Sequence, residues 1–200
     1  MAKADWIKLS QTSGSGNADV QVSTQTEHTG RTPRSTVLSF KGANVQTLTR
    51  NVYQAGKPEF VDIEDSKAVE KDGKTIAIIG VSNSAKLTFR LGGGDLDVEL
   101  PSTYLANSLV TNNGVAIQGD PGAMATYNFS IPIVVPANDT MQQKTRQIIV
   151  TDETGNDDVC ELMLAGGDAY LRVSEGDINL DYKGTPVTVS VESNINWTIE

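Results

Sequence analysis

The side chains that could do chemistry in this sequence are few and stand apart. His28 is the only histidine of the 200 residues and Cys160 is the only cysteine. A zinc site or a nucleophile–base pair needs a second His or Cys nearby, so neither is predicted. We expect His28, in QTEHTG, to lie in a turn, and Cys160 to be a small core residue. The sequence therefore predicts a protein that is not an enzyme and holds no metal and no cofactor.

Acidic residues cluster in two places, and neither has the pattern of a ligand site. The run DETGNDD at 152–158 lacks the order and the closing Glu of an EF-hand, which favours a hairpin turn over a calcium site. In GGGDLDVEL, Asp95, Asp97 and Glu99 alternate with Leu and Val. Such alternation predicts that the acids face solvent while the apolar residues face a core.

Composition limits the partners. The net charge is −9 and apolar residues make up 38% of the chain, with no run long enough to cross a membrane. A phosphate backbone or an anionic membrane would be repelled, so neither nucleic acid nor membrane is an expected partner. The segment MAKADWIKLS has no apolar signal-peptide core. Because no signal peptide is recognised, we expect the protein to be made in a cytoplasm.

The elements that must position these residues are β-strands. Alternating stretches such as KTIAIIGV and TYNFSIPIVV are rich in Val, Ile and Thr, and Gly, Asn, Asp or Pro clusters separate them. No stretch has a helical apolar period, although STYLANSLV (102–110) is expected to hold one turn of helix. Short strands with frequent turns predict an all-β antiparallel sandwich.

The chain also repeats itself with a period of about 110 residues. The matching segments are 54–65 with 164–175, 72–83 with 183–194, and PRSTVLSF (33–40) with TRQIIVTD (145–152). The last match places Arg34 opposite Arg146. The repeat divides the chain into an N-terminal half (residues 5–58), a complete central unit (59–168) and a C-terminal half (169–200). We therefore predict two immunoglobulin-like β-sandwiches, one of them split between the two chain ends.

The terminal halves resemble a known family when they are read tail to head. SNINWT at 193–198, WIKLSQTSGSGNADVQV at 6–22 and RSTVLSF at 34–40 resemble successive parts of the BACON domain, an immunoglobulin-like sandwich of Bacteroidetes-associated carbohydrate-binding proteins. The family's first half lies at the C-terminus here. The central unit departs more, with SNSAKLTF where the first Trp of the pattern would stand.

A half-sandwich exposes an apolar face and an unpaired edge, so each half should seek a partner. The halves of one chain could meet, or one chain could complete the next, or the sequence could be part of a longer tandem array. The residues predicted to carry this closure are Trp6, Ile7, Leu9, Val20, Val22, Val187, Val189, Val191, Trp197 and Ile199.

The resemblance implies two classes of function. BACON-like domains occur in virion proteins of crAss-like phages of gut Bacteroidetes, which implies a capsid auxiliary, head-fibre or tail component made in the host cytoplasm. Its partners would be other virion proteins or further copies of itself. The alternative is a carbohydrate-binding module at a bacterial cell surface, with glycans as partners. Exposed Tyr53 or Tyr104 could then stack on a sugar, although strand aromatics more often belong to a core.

Overall fold

The computed structural model describes residues 3–174 and 176–200, and the predicted all-β fold is confirmed. The only helical element among these residues is a single 3₁₀ turn, Pro121–Ala123. The N-terminal half holds β1 (Ile7–Leu9), β2 (Val22–Thr24), β3 (Arg34–Phe40) and β4 (Leu48–Gln54). The central unit holds β5 (Val61–Ile63), β6 (Ser66–Val69), β7 (Lys74–Ser82), β8 (Thr88–Gly94), β9 (Thr103–Ala106), β10 (Leu109–Asn112), β11 (Tyr127–Val135), β12 (Lys144–Thr151) and β13 (Asp157–Leu164). The C-terminal half holds β14 (Leu171–Val173) and β15 (Val191–Ser193).

The central unit is a complete two-sheet sandwich. One sheet has the order β10-β9-β11-β7-β5 and the other β6-β13-β12-β8. Alternation along the strands makes the layers, since every second residue of β11 from Tyr127 to Val135 is buried. The chain crosses between sheets early, because β5 pairs with β7 whereas β6 runs parallel to β13. These two neighbouring strands tie the sheets together at one edge.

One apolar cluster fills the space between these sheets, and its buried residues run from Ile63 to Leu164. Cys160 is fully buried in it, as predicted. Leu96 and Val98 face this core while Asp95, Asp97 and Glu99 are exposed, which confirms the predicted alternation.

Tyr104 is a core residue, as the sequence favoured for an aromatic in a strand, and it is not available to stack on a sugar. It is 2% exposed and packs edge-on against Phe89 with ring centroids 5.6 Å apart. Tyr53, the other candidate, is 71% exposed. A tyrosine in a predicted strand can therefore be either a core residue or a surface residue.

Two turn predictions had different outcomes. The hairpin predicted at DETGNDD joins β12 to β13, and the Asp152 carboxylate accepts hydrogen bonds from Thr154 and Asn156. The helical turn expected in STYLANSLV is wrong, because β9 and β10 form a hairpin there. Its turn residues Asn107 and Ser108 have φ of 47° and 66°, the left-handed values that a tight hairpin needs.

The terminal halves form only two-stranded pieces. β1 pairs with β2, β3 with β4, and β14 with β15, all antiparallel. Among the described residues no helix is long and apolar enough to cross a membrane.

The repeat is visible in the strand registers. β14 pairs with β15 as β5 pairs with β7: Leu171 is opposite Ser193, as Val61 is opposite Ser82. In the N-terminal half, β3 and β4 keep the register of β12 and β13, with Arg34 opposite Gln54 as Lys144 is opposite Leu164. Gln54 matches Leu164 in the aligned segments 54–65 and 164–175, which places Arg34 at the position of Lys144. The expected match of Arg34 with Arg146 is therefore wrong by two positions, although an Arg lies near the start of each strand.

Candidate functional site

The C-terminal half has an open edge on a strand whose equivalent in the central sandwich is paired on both sides. In the central sandwich β7 lies between β5 and β11. Its repeat equivalent β15 pairs with β14, and no described residue pairs with its other edge. The missing neighbour is the equivalent of β11.

The N-terminal half lacks the matching strands. In the central sandwich, β12 and β13 are bordered by β8 and β6. Their equivalents β3 and β4 pair with each other, and within the described residues nothing covers their outer edges. The missing neighbours are therefore the equivalents of β8 and β6.

These open edges are reciprocal. Three pairings join the first and second parts of the central sandwich: β7 with β11, β8 with β12, and β6 with β13. Each joins a segment whose equivalent lies in the C-terminal half, for β8 only over its first three residues, to one whose equivalent lies in the N-terminal half. All three are absent within the described part of the terminal halves, where the equivalents of β6 and β8 are not strands. The segments that each half has are nevertheless ones that the other lacks.

Burial shows the same incompleteness at equivalent positions. Ile76 of β7 is 7% exposed, whereas its equivalent Val187 is 49% exposed. Val150 of β12 is fully buried, whereas its equivalent Phe40 is 48% exposed. Inward-facing apolar positions thus stand open in both terminal halves, although Ile7 and Leu38 are buried.

The residues predicted to close the split sandwich divide between two separate faces. In the N-terminal half Ile7 is buried, and Trp6 is half-buried under the Arg34 guanidinium, 4.6 Å from the ring centre. The others on these two faces are half-buried or exposed: Leu9, Val20, Val22, Val187, Val189, Val191, Trp197 and Ile199. Trp197 is 45% exposed. Within one chain the structure does not bring it next to Trp6.

The two halves lie at opposite ends of the central sandwich. The N-terminal half is hydrogen-bonded near the start of β11, where Thr126 N donates to Thr29 Oγ1. The C-terminal half is held beyond the far end of that strand, where Asn194 Nδ2 donates to Asp139 O. β11 is nine residues long, and a strand of that length spans roughly 30 Å. The two junctions are consequently separated by about the length of that strand.

An asparagine holds each half in place. Asn83 is fully buried between the N-terminal half and the central sandwich. Its Nδ2 donates to Thr29 O, Lys57 O and Pro58 O at 3.3, 3.3 and 3.1 Å, and its Oδ1 accepts from Phe60 N at 3.1 Å. One side chain thereby fixes the connection at three backbone carbonyls.

Asn194 repeats this arrangement at the other junction. Its Nδ2 donates to Asp139 O and Asp168 O at 3.0 and 2.9 Å, and its Oδ1 accepts from Tyr170 N at 2.9 Å. Asp139, Asp168 and Tyr170 are the repeat equivalents of Thr29, Pro58 and Phe60, which are partners of Asn83. Gly56 and Gly166 complete the likeness, since a Cβ on either would lie about 2 Å from the carbonyl oxygen of Arg31 or Met141. The two junctions are built alike.

His28 belongs to the first junction, where its ring binds a backbone carbonyl. It was expected in a turn, but it lies in an irregular segment, 5% exposed, and its Nε2 donates to Thr32 O at 2.7 Å. Its repeat equivalent is Asn138, whose Nδ2 donates to Gln142 O at 2.8 Å. The imidazole is thus the counterpart of a structural amide.

Arg31 distinguishes the junctions. It donates from Nη1 to Asp120 Oδ1 at 2.6 Å and to Asn83 O at 3.2 Å, and its Nε lies 3.3 Å from Glu59 Oε1. The hydrogen bond to Asp120 is the main cause of the raised pKa of this guanidinium. Its repeat equivalent is Met141, which is 52% exposed. The first junction therefore has an ionic clamp at a position where the second has an apolar side chain.

Sequence reasoning missed both junction asparagines. The signal was present, because Ser-Asn ends both copies of the aligned repeat at Asn83 and Asn194. As for ligands, no group of three or more His, Cys, Asp or Glu among residues 3–174 and 176–200 is placed to hold a metal ion.

Comparison with known proteins supports a BACON-like domain in the N-terminal half. The BACON family model, described as a putative binding domain, N-terminal, matches residues 1–55. No curated protein matches the chain. Among solved structures, an endo-fucoidan hydrolase of glycoside hydrolase family 107 is similar at a TM-score of 0.30 and 12% identity, over 83% of this chain. The chain spans 22% of that protein's length, and so low a score carries no argument about function.

Proposed function

We propose that this is a non-enzymatic structural protein whose copies join end to end, the C-terminal half of one completing the N-terminal half of the next. The observation that carries the proposal is the reciprocal pair of open half-sandwiches at opposite ends of a complete one. A face that lies open at each end can be covered without bending the chain back on itself.

The energetics favour completion. Burying one large apolar side chain contributes about 1.5–3 kcal/mol. Phe40, Val187, Trp197 and Ile199 are all at least 45% exposed in the single chain. Pairing the open edges also satisfies backbone groups and removes the aggregation hazard of a bare strand.

The contact is heterologous, since a tail surface meets a head surface. Contacts of that type generate rings when the rotation closes and filaments when it does not. Each added copy presents a fresh open half, so assembly continues until the geometry or another protein stops it.

The setting we propose is a bacteriophage virion, with the protein as a capsid auxiliary, head-fibre or tail component. The basis for this setting is the resemblance of the terminal halves to the BACON domain, because BACON-like domains occur in virion proteins. The family match at residues 1–55 supports the BACON-like domain on which this resemblance rests.

A carbohydrate-binding module is the second candidate, because the matched family is described as a putative binding domain. Two tyrosines are available to stack on sugar rings: Tyr53 is 71% exposed and Tyr182 is 94% exposed. Glycan-array binding tighter than millimolar that is lost in Tyr53→Ala or Tyr182→Ala, by a protein that stays monomeric, would favour this candidate over assembly.

Size-exclusion chromatography with light scattering tests the assembly proposal. We expect the mass of the parent chain to rise with concentration, and Phe40→Asp to stay at the mass of one chain because it places a charge in the joint. Val134→Asp is the matched control, since Val134 is 69% exposed on the central sandwich, away from the open faces. A folded parent chain that stays monomeric at every concentration would overturn the proposal.

A further inference from the structure

We infer that the joint between copies has one defined register, in which residues 198–200 of one copy pair as a short strand antiparallel to β3 of the next and Ile199 is opposite Phe40. These three residues form no strand within the single chain. This register rests on the proposed end-to-end assembly and adds the identity and alignment of the paired segments. The central sandwich supplies the pattern, because its own β8 and β12 form the same pairing.

β3 takes the position that β12 has in the central sandwich. Its register with β4 equals that of β12 with β13 at the constant offset of the repeat, so Phe40 takes the place of Val150. In the central sandwich Val150 is opposite Phe89. The partner of Phe40 is therefore the equivalent of Phe89.

The equivalent of Phe89 lies in the segment after Asn194. After Asn83 the first two inward-facing apolar residues are Leu87 and Phe89, which are 0% and 3% exposed. After Asn194 the alternating apolar residues nearest this spacing are Trp197 and Ile199. They match Leu87 and Phe89 if the turn after the asparagine is one residue shorter, and turns absorb such differences readily. Ile199 is then the equivalent of Phe89.

Space for the paired segment of the second copy is available beside β3. An open cleft lies beside β3, lined by Leu9, Val20, Leu38 and Phe40 together with polar residues such as Gln11 and Ser13. In the central sandwich, the equivalent edge of β12 is covered by β8. Ile199 is 83% exposed and Phe40 is 48% exposed, so each has an apolar surface that the other can cover.

The occupant is a second copy. Asn194 anchors its own strand to Asp139 and Asp168, at the end of the central sandwich away from β3. A strand of nine residues, β11, separates the two sites within one chain. The reciprocal edges make another copy of this chain a partner with the required strands.

Cysteine trapping between separately prepared proteins tests the register. In the central sandwich Thr88 is opposite Thr151, so Thr198 of one copy is expected opposite Lys41 of the next. Both residues are exposed, so cysteines there leave the apolar seam intact. Thr198→Cys protein is mixed with Lys41→Cys protein and oxidised mildly. Cys160 does not compete, because it is buried and burial raises the pKa of its thiol to about 11.

The matched control is Thr198→Cys mixed with Ser35→Cys. Ser35 is exposed on the same strand six positions earlier, which is about 20 Å along β3 and beyond the ~7 Å reach of a disulfide. We expect at least about tenfold more mixed disulfide dimer with Lys41→Cys than with Ser35→Cys.

Three other outcomes would overturn the inference. Equal or reversed yields in a protein that still assembles would refute the register and leave end-to-end assembly standing. An internal disulfide in a monomeric Thr198→Cys/Lys41→Cys chain would show that the chain closes on itself, and a monomer with no disulfide would remove the joint altogether. Both of these last results would also refute the proposed function.

Discussion

The central sandwich and the C-terminal half contain the same strand pair in two conditions. β5 with β7 and β14 with β15 share one register, and Asn83 and Asn194 make equivalent hydrogen bonds. Their exposure differs, since Ile78 is fully buried while its equivalent Val189 is only half-buried. The local pairing therefore does not depend on the second half of a sandwich, whereas the core does.

This difference separates two sources of order. Backbone pairing and the asparagine lock belong to contacts close to each junction. Burial of the inward-facing side chains requires strands that the chain places about 30 Å away at the other end. A half-sandwich can thus have the strand register of the complete fold before a partner buries its core residues.

The largest expected effect comes from truncating the same position in the two conditions. Ile78→Ala should destabilise the chain by about 2–5 kcal/mol at every protein concentration, because the cavity lies in a closed core. Val189→Ala should cost under about 1 kcal/mol in the monomer and should weaken assembly instead. Denaturant unfolding at low and high concentration measures both. A concentration-independent loss of several kcal/mol in Val189→Ala would show that its core is already closed.

The next effect sharpens the comparison at the junctions. Asn83→Ala should cost about 1–3 kcal/mol, since it leaves buried carbonyls without donors. Asn194→Ala should cost less, because water can reach the carbonyls of the more exposed second junction. Chemical unfolding followed by tryptophan fluorescence gives the two values. Equal losses would contradict the difference in burial between the junctions.

A smaller effect is expected from making the first junction resemble the second. Arg31→Met removes the ion pairs to Asp120 and Glu59 and should cost about 1 kcal/mol, since the clamp is partly exposed to solvent. Because Arg31→Met loosens the first junction, we also expect faster proteolysis at residues 56–60. The control is Met141→Ala at the second junction, which should leave cleavage at 56–60 as it is in the parent.

The smallest effect is a pH dependence that the Asp152 carboxylate gives the central sandwich. Burial alone would raise the pKa of Asp152, but hydrogen bonds from Asn156 and Thr154 outweigh it and lower that pKa below its ordinary value. The carboxylate thus stabilises the folded state above about pH 4, and its contribution is lost as the pH falls through the lowered pKa. Asp152→Asn should be less acid-sensitive than the parent by under about 1 kcal/mol, measured by unfolding at pH 6 and pH 2.5.

The N-terminal half supplies the contrast for this test. The position equivalent to Asp152 is Gly42, which has no side chain to titrate. Hydrogen exchange at the two hairpins should therefore diverge on acidification, with the 152–156 turn opening and the 42–46 turn unchanged. Parallel behaviour of the two turns would remove Asp152 as the cause.

Much of the fold could be predicted from the sequence because strand alternation and the internal repeat can be read directly from residue types and their spacing. The alternation at Asp95 to Val98 and the hairpin at 152–158 are examples, and the structure confirms both. The failures lie where a short segment has two solutions. STYLANSLV fits a helical turn as well as a hairpin until Asn107 and Ser108 adopt left-handed φ values.

The arrangement of the open halves could not be predicted in the same way. It depends on Asn83 and Asn194, whose partners are backbone carbonyls contributed from distant parts of the chain, such as Thr29 and Asp139. Backbone acceptors carry no residue-type signature, so an asparagine that binds them is indistinguishable in sequence from one in a turn. The same reason left His28 in an apparent turn, although its ring is enclosed at the first junction.

The likeness of the two junctions would set the periodicity of the proposed end-to-end array. Because Asn83 and Asn194 hold their neighbours through equivalent atoms, each sandwich of the array would be related to the next by nearly the same rotation and translation. Closed and composite sandwiches would then alternate along the axis with almost equal spacing. A low-resolution diffraction pattern of such an array would show a strong layer line at half the true chain repeat. The weak line at the full repeat would come from differences such as Arg31 against Met141.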